Sequence, residues 1–241
     1  MAQLSPIGYP RIHSISVAVI EPGTDQRNNA NVTGTDKFMR AFGTAIDWSY
    51  KSVSQPNAGG REFDLHQGKA WGGTSTINGE LPPEDGVLPD RPRGESDTCW
   101  HVGMTYIRGN VAEYDAWEAL GNPGWNWASL FPCFKKSEQY TIRTDSQLAA
   151  GATYEARNHS TSRPLHVGYP AGLQNGSFAT PIIEAWTTLS VPHNPDLNGS
   201  DVRGFSIGPQ TLNPKLDVRW DAALAYYHPV ERRRNLKILK Q

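Results

Sequence analysis

The chain is 241 residues long, which allows one large domain or two modest ones. Its 23 Lys and Arg are balanced by 24 Asp and Glu, so it carries no basic field of the kind that gathers nucleic acid, and no apolar run approaches the length that spans a bilayer. Aromatic residues make up 10% of the chain, eight of them Trp, which implies a packed globular core.

Cys99 and Cys133 do not make a disulfide framework. Four sequons, at Asn31, Asn158, Asn175 and Asn198, lean towards a secretory history. Residues 1–14 nevertheless hold no apolar h-region, so no signal peptide is recognisable. They contain two prolines and no periodicity, and read as unrelated or disordered sequence.

In chain order, Ile15-Ser16-Val17-Ala18-Val19-Ile20 is a β-branched run of the kind found in a buried parallel strand. It ends in Glu21, followed by Pro22-Gly23. A carboxylate there is either an exposed strand end or, in a dinucleotide-binding fold, the group that accepts hydrogen bonds from the adenosine ribose. Residues 24–60 are loop-like, rich in Asn, Gly, Thr and Ser. Trp48 within them is, as a lone aromatic, most simply core.

The stretch Gly68 to Asn78, Gly-Lys-Ala-Trp-Gly-Gly-Thr-Ser-Thr-Ile-Asn, organises the rest. Gly72 and Gly73 have no Cβ, so backbone there can lie against a ligand and take φ > 0. Thr74, Ser75 and Thr76 add hydroxyls, and the combination suits a turn that holds an anionic group such as a phosphate at a helix start. An ordinary polar turn is the alternative. An ATP-binding P-loop is excluded, because Phe63 stands where it needs a glycine and Ala70 where it needs Ser or Thr.

Residues 80–103 have four prolines, several charges and no apolar period, and read as a disordered loop. From Asn110 to Glu138 the pattern predicts helix, tight turn, helix. Val111, Tyr114, Trp117 and Leu120 share a face; Gly121-Asn122-Pro123-Gly124 stops the first helix. Ser129 is the expected N-cap of a second helix over Leu130 to Tyr140, with Pro132 in its first turn. Trp125 and Trp127 are packing anchors. Pro181 to Leu189 predicts a further helix and Leu236-Lys237-Ile238-Leu239 a strand. His159 and His166 have no carboxylate or Cys at ligand spacing and are core or surface histidines. Arg232-Arg233-Arg234 is a solvated helix end or turn.

Taken together, several motifs resemble those of the glucose-methanol-choline (GMC) flavoenzymes, which bind FAD and oxidise alcohols. The Gly72-Gly73-Thr74-Ser75-Thr76-Ile77-Asn78 run is followed by Gly103-Met104-Thr105-Tyr106-Ile107-Arg108-Gly109. Then come Tyr114-Asp115-Ala116-Trp117, Gly121-Asn122-Pro123-Gly124-Trp125-Asn126-Trp127 and Lys135-Lys136-Ser137-Glu138. Gln147 to Gly151, Leu165 to Tyr169, Val202 to Phe205 and Val218 to Ala223 are similar to the glucose oxidase and FAD-dependent glucose dehydrogenase branch. Ser160 and Arg163 depart from glycines expected in a turn, Trp220 from a smaller or polar residue, and Trp71 from the commoner Leu.

The resemblance implies an α/β fold: an incomplete Rossmann-like FAD-binding region over 15–144 and part of an α+β substrate region over 145–241. It implies FAD as cofactor, contacted by Glu21, Trp48, Gly72, Gly73, Thr74, Asn78, Gly79, Met104 and Thr105. The implied activity is oxidation of a CH–OH group on a small sugar or alcohol, with hydride passing to the flavin. No nucleic acid, membrane or metal is expected. A Gly-x-Gly-x-x-Gly turn is not among the residues before Glu21, and the family's catalytic histidine belongs to a C-terminal part that is not in this sequence. The chain is therefore expected to be an inactive fragment; a truncated or mis-spliced product with no stable ligand is the other reading.

In the family Asn78-Gly79 runs straight into Met104-Thr105-Tyr106. The 24 residues from Glu80 to Gly103 therefore read as an insertion, either a surface loop or a retained intron. Frame preservation favours the intron, as do splice-like codon choices available at Gly79-Glu80, Ser96-Asp97 and Val102-Gly103.

Overall fold

The computed structural model describes residues 15–35, 37–78, 104–173 and 179–239. The N-terminal 1–14, the block 80–103 with Gly79, and the sequon at Asn175 lie outside the described residues.

Within the described residues the strands are β1 (Val17–Ile20), β2 (Tyr50–Lys51), β3 (Asp64–Leu65), β4 (Glu138–Tyr140), β5 (Leu165–Val167), β6 (Leu212–Asn213), β7 (Val218–Arg219) and β8 (Leu236–Leu239). The α-helices are α1 (Ala30–Thr33), α2 (Val111–Ala119), α3 (Trp127–Ser137), α4 (Asp145–Ala149) and α5 (Ala179–Thr188). They fall into two compact units. One takes the chain up to Met104 together with the segment from Asp221 onward; the other is Thr105–Trp220. Residues 105–144 thus pack with 145–220 in one unit. The physical reason is a set of long-range bonds: β4 runs parallel to β5, Tyr106 N–H donates to the Pro209 carbonyl at 2.8 Å, and Arg108 pairs with Glu138.

In the first unit β1 pairs in parallel with β8, Val17 opposite Leu236 through Ile20 opposite Leu239. Both runs are β-branched or leucine-rich, as a pleated surface favours. The strand expected to be buried alternates instead between half-buried and exposed positions, and Ile20 keeps 79% of its surface. The apolar centre of this unit lies elsewhere, where Val32, Ala41, Ile46 and Ile77 pack with Phe42.

In the second unit Asn110 caps α2. Its Oδ1 accepts the Ala112 N–H at 3.0 Å, and the Glu113 carboxylate accepts the Asn110 N–H at 3.2 Å. The helix–turn–helix is present, with two corrections. The face containing Val111, Tyr114 and Trp117 is not a core face, since no residue of α2 is buried; its rings meet each other instead, Tyr114 touching Trp117, Trp127 and Phe134. The cap of α3 is Asn126, whose Oδ1 accepts the Ser129 N–H at 2.9 Å, so the helix starts earlier than expected and carries Pro132 inside it. It also ends earlier, because Glu138 to Tyr140 is drawn into β4 by pairing with β5. The core of this unit is Tyr140, Ala152, Val167 and Tyr169.

Candidate functional site

The end of β1 is held against the glycine-rich stretch. Gly23 allows the approach: a Cβ there would lie 2.3 Å from the Lys69 carbonyl carbon and 2.4 Å from the Ala70 nitrogen. Thr24 bridges to Ala70, and Trp71 N–H donates to the Thr24 carbonyl at 3.1 Å. Glu21 sits just before this contact, half-buried, with Oε1 accepting the Gly23 N–H at 2.8 Å. The strand end and the glycine-rich stretch, 51 positions apart from Glu21 to Gly72, are therefore joined in the first unit through Gly23 and Thr24.

The turn has the backbone that the sequence demands. Gly72 has φ +100° and Gly73 φ +59°, both in the left-handed region where a side chain is strained. The two differ in surroundings. A Cβ on Gly72 would meet Thr76 Cγ2 at 2.8 Å, while among the described residues nothing lies within 4 Å of one on Gly73. Gly72 is needed for packing; Gly73 leaves an open face of backbone.

The three hydroxyls expected to face an anion are engaged within the protein. Thr74 Oγ1 donates to Gln67 Oε1 at 2.8 Å and accepts the Gly68 N–H at 3.3 Å. Ser75 Oγ donates to the Gly72 carbonyl at 2.7 Å and accepts the Ala222 N–H at 3.0 Å; Thr76 Oγ1 donates to the Gly73 carbonyl at 2.7 Å. Their protons shape the turn. Asn78 closes it, with its N–H on the Thr74 carbonyl at 3.1 Å.

Further residues pack beside the turn, of which Tyr227 and His228 belong to no motif noted in the sequence. A π-helical turn over Ala223–Tyr227, a rare feature often found at functional sites, follows Asp221, whose Oδ1 accepts the Leu224 N–H at 2.8 Å. Trp71 meets Tyr227 edge to face at 5.0 Å and lies 6.1 Å from the His228 ring. Arg27 joins Asp25 and Glu231, each at 2.7 Å, and His228 Nδ1 is 3.2 Å from the same Glu231 oxygen. The Arg27 hydrogen bond, helped by His228, holds the Glu231 carboxyl down at about 2. The run Val218 to Ala223, already similar to the family, was the available signal for Asp221; nothing local marks Tyr227 or His228.

Trp48 is 38% exposed and is not a core residue. Its ring stacks on Tyr50 at 5.7 Å, with Lys69 Nζ 4.8 Å from its centroid. Nearby, Asp47 gathers N–H groups from Gly43, Ser49 and Gln67 and the His66 ring, so its carboxyl lies well below the usual range although burial opposes this. Met104 is buried with φ +61° in the first unit, whereas Thr105 bridges to Gln210 in the second. Of the expected cofactor residues, the structure thus places Glu21, Trp48, Gly72, Gly73, Thr74, Asn78 and Met104 in one unit and Thr105 in the other; Gly79 is outside the described residues.

A sequence profile described as GMC oxidoreductase matches residues 102–241. The chain belongs to the GMC oxidoreductase family. It is 61% identical over 227 residues to glucose oxidase-like protein fsoC of Humicola fuscoatra, covering 94% of this chain and 35% of that protein. It is 31% identical over 228 residues to a Drosophila melanogaster glucose dehydrogenase [FAD, quinone], covering 92% of this chain and 30% of the relative. Among solved structures, an FAD-dependent oxidoreductase from Chaetomium thermophilum superposes with a TM-score of 0.77 at 27% identity, over 97% of this chain and 35% of that one. Pyridoxine 4-oxidase from Mesorbium loti, at TM-score 0.74 and 21% identity, shares the fold. The chain spans about a third of the length of these relatives. The α/β fold expected from sequence is that of these GMC structures.

In the second unit His159 is a core histidine, and His166 sits edge-on to Trp220 at 4.4 Å, its pKa lowered by burial. Two of the four sequons are shut inside: Asn158 is 5% exposed with its amide on Asp196, and Asn198 is fully buried. Gly151, Ile183, Thr187, His193, Phe205 and Ile207 line a partly open pocket of about 230 Å³. Among the described residues no three His, Cys, Asp or Glu are grouped to hold a metal ion, and no helix is long and apolar enough to cross a membrane.

Proposed function

We propose that this chain is part of an FAD-dependent oxidoreductase acting on the CH–OH group of a small sugar or alcohol. The observation that carries the reading is the open left-handed backbone at Gly73, held beside the end of β1 by the Gly23 contact. An extended dinucleotide can lie against backbone with no Cβ in its way, and a strand-end carboxylate such as Glu21 accepts ribose hydroxyls. The names of the relatives, glucose oxidase-like protein and glucose dehydrogenase [FAD, quinone], support the same cofactor and substrate class.

When bound, FAD supplies a hydride acceptor. Glu21 would hold the adenosine ribose, the backbone of Gly72 and Gly73 the pyrophosphate, and Asn78 and Met104 the approach to the flavin, with Trp48 an aromatic wall. No residue of this chain is assigned the role of base.

The experiment is titration of the purified chain with FAD, followed by flavin fluorescence, for the wild type and Gly73→Val. Weak binding that falls at least about tenfold in the variant, some 1.4 kcal/mol, supports the assignment. Equal affinity in both removes Gly73 from the cofactor site.

A further inference from the structure

Four charged side chains meet inside the second unit, drawn from segments far apart in sequence: Arg108, Glu138, His159 and Asp196. Their side chains are between 0 and 3% exposed. Arg108 Nη2 donates to Glu138 Oε2 at 2.8 Å, and Nη1 donates to the carbonyls of Asn158 and Asn198. His159 stands between the two carboxylates. Its Nδ1 is 2.8 Å from Glu138 Oε1 and its Nε2 is 3.0 Å from Asp196 Oδ2.

The remaining contacts decide where the protons are. Glu138 Oε2 accepts the Ser160 N–H at 3.0 Å besides Arg108. Asp196 Oδ2 accepts the Glu155 N–H and the Asn158 amide, both at 3.0 Å, and Oδ1 accepts the Asn198 N–H at 2.9 Å. Glu138 Oε2 and both Asp196 oxygens thus face donors from outside the ring, while Glu138 Oε1 faces the His159 ring alone. With both acids ionised, both ring nitrogens of His159 donate, which only the imidazolium does. The cluster is then two cations against two anions, neutral as a whole, and such a pairing is what makes buried charge tolerable.

We propose that this cluster is a pH-dependent lock, closing the second unit while His159 is doubly protonated and releasing it when that proton is lost. Deprotonation would set a ring lone pair against a carboxylate at about 3 Å and leave the buried cluster with two anions against one cation.

Among the described residues the surroundings offer no substitute charge. Tyr140 packs on the His159 ring at 4.0 Å and Tyr154 lies edge-on at 6.1 Å. Tyr169 lies close enough to Asp196 to feel its charge; burial pushes Tyr140 up and Tyr169 up to about 12, so both stay neutral. Glu155 reaches the Asn158 amide at 3.4 Å and is paired with exposed Arg157, and Arg143 lies over the Tyr154 ring. Burial pulls the His159 pKa down, but hydrogen bonds to Asp196 and Glu138 outweigh it and the net direction is up. Burial likewise opposes ionisation of Asp196, but His159, Asn158 and Glu155 hold it at about 2.

A raised His159 contributes stability that is complete below its unfolded value near 6.5 and is lost as pH rises through its folded value. A depressed Asp196 contributes stability that is complete above 3.8 and is lost as pH falls through about 2. The lock is tightest in mildly acidic solution.

The test combines urea unfolding of the whole chain from pH 5 to 9 with ¹⁵N NMR of the His159 ring. In the wild type the folded-to-unfolded ratio should fall by up to about tenfold per pH unit above 6.5, and His159→Gln should lose that slope. The ring should show two protonated nitrogens at pH 7. A neutral His159 tautomer at pH 6.5, or an unchanged slope in His159→Gln, overturns the proposal. Should the variant not fold, the ring spectrum of the wild type decides alone.

Discussion

Gly72 and Gly73 are adjacent, both have positive φ, and yet they answer to different constraints. At Gly72 a methyl group would collide with Thr76 Cγ2 in addition to the backbone strain. At Gly73 only the strain applies. Gly73→Ala is expected to cost about 1 kcal/mol and Gly72→Ala about 2–3 kcal/mol, ordered by urea unfolding. A reversed order would mean that the turn is not built as described. The sequons divide on the same grounds. Asn31 is half-buried at the surface on α1, whereas Asn158 and Asn198 have their side-chain amides bonded inside the fold. Expressed through a secretory host, the chain should carry glycan at Asn31 and none at Asn158 or Asn198, read by peptide mass spectrometry.

At the scale of elements, local sequence was a good guide to existence and a poor one to ends and faces. The α2–turn–α3 unit, α5 and the β1 and β8 strands all follow from patterns of neighbouring residues. The start of α3 did not, because both Asn126 and Ser129 are capping types and only the observed bond chooses between them. With no buried residue to anchor it, α2 leans on its cap. Asn110→Ala is expected to destabilise the second unit by about 1 kcal/mol and to speed amide exchange in the first turn of α2. The block from Glu80 to Gly103 yields to a different measurement. Messenger reads across the codons of Asn78 and Met104 are expected to skip it, restoring the family spacing from Ile77-Asn78-Gly79 into Met104; reads that all retain it would make the block protein.

At the scale of the molecule, each unit carries one Arg, one His and two carboxylates in contact, in opposite environments. Arg27, with Asp25, Glu231 and His228, keeps 34% of its side chain in solvent, where screening leaves an ion pair worth little. Arg108, with Glu138, His159 and Asp196, is 1% exposed. Arg27→Ala should therefore change stability by less than about 1 kcal/mol. Arg108→Ala strands Glu138 in a dry interior and should cost about 3–5 kcal/mol. Urea unfolding at one pH compares them; similar losses for both would contradict the burial argument.

What the sequence alone determined is what neighbouring residues encode: the family, through the order of its motifs, the α/β class, and the glycines at which the backbone must turn left. Tertiary structure decided everything that depends on partners far along the chain. Glu138, His159 and Asp196 are 21 and 37 positions apart, so no local pattern announces the cluster, and His159 looked like an ordinary core or surface histidine. The hydroxyls of Thr74, Ser75 and Thr76 looked available to an anion until Gln67, Ala222 and the turn's own carbonyls were seen to engage them. A hydrogen bond is directional and short, and which of a residue's possible partners it takes is set only when the chain has closed.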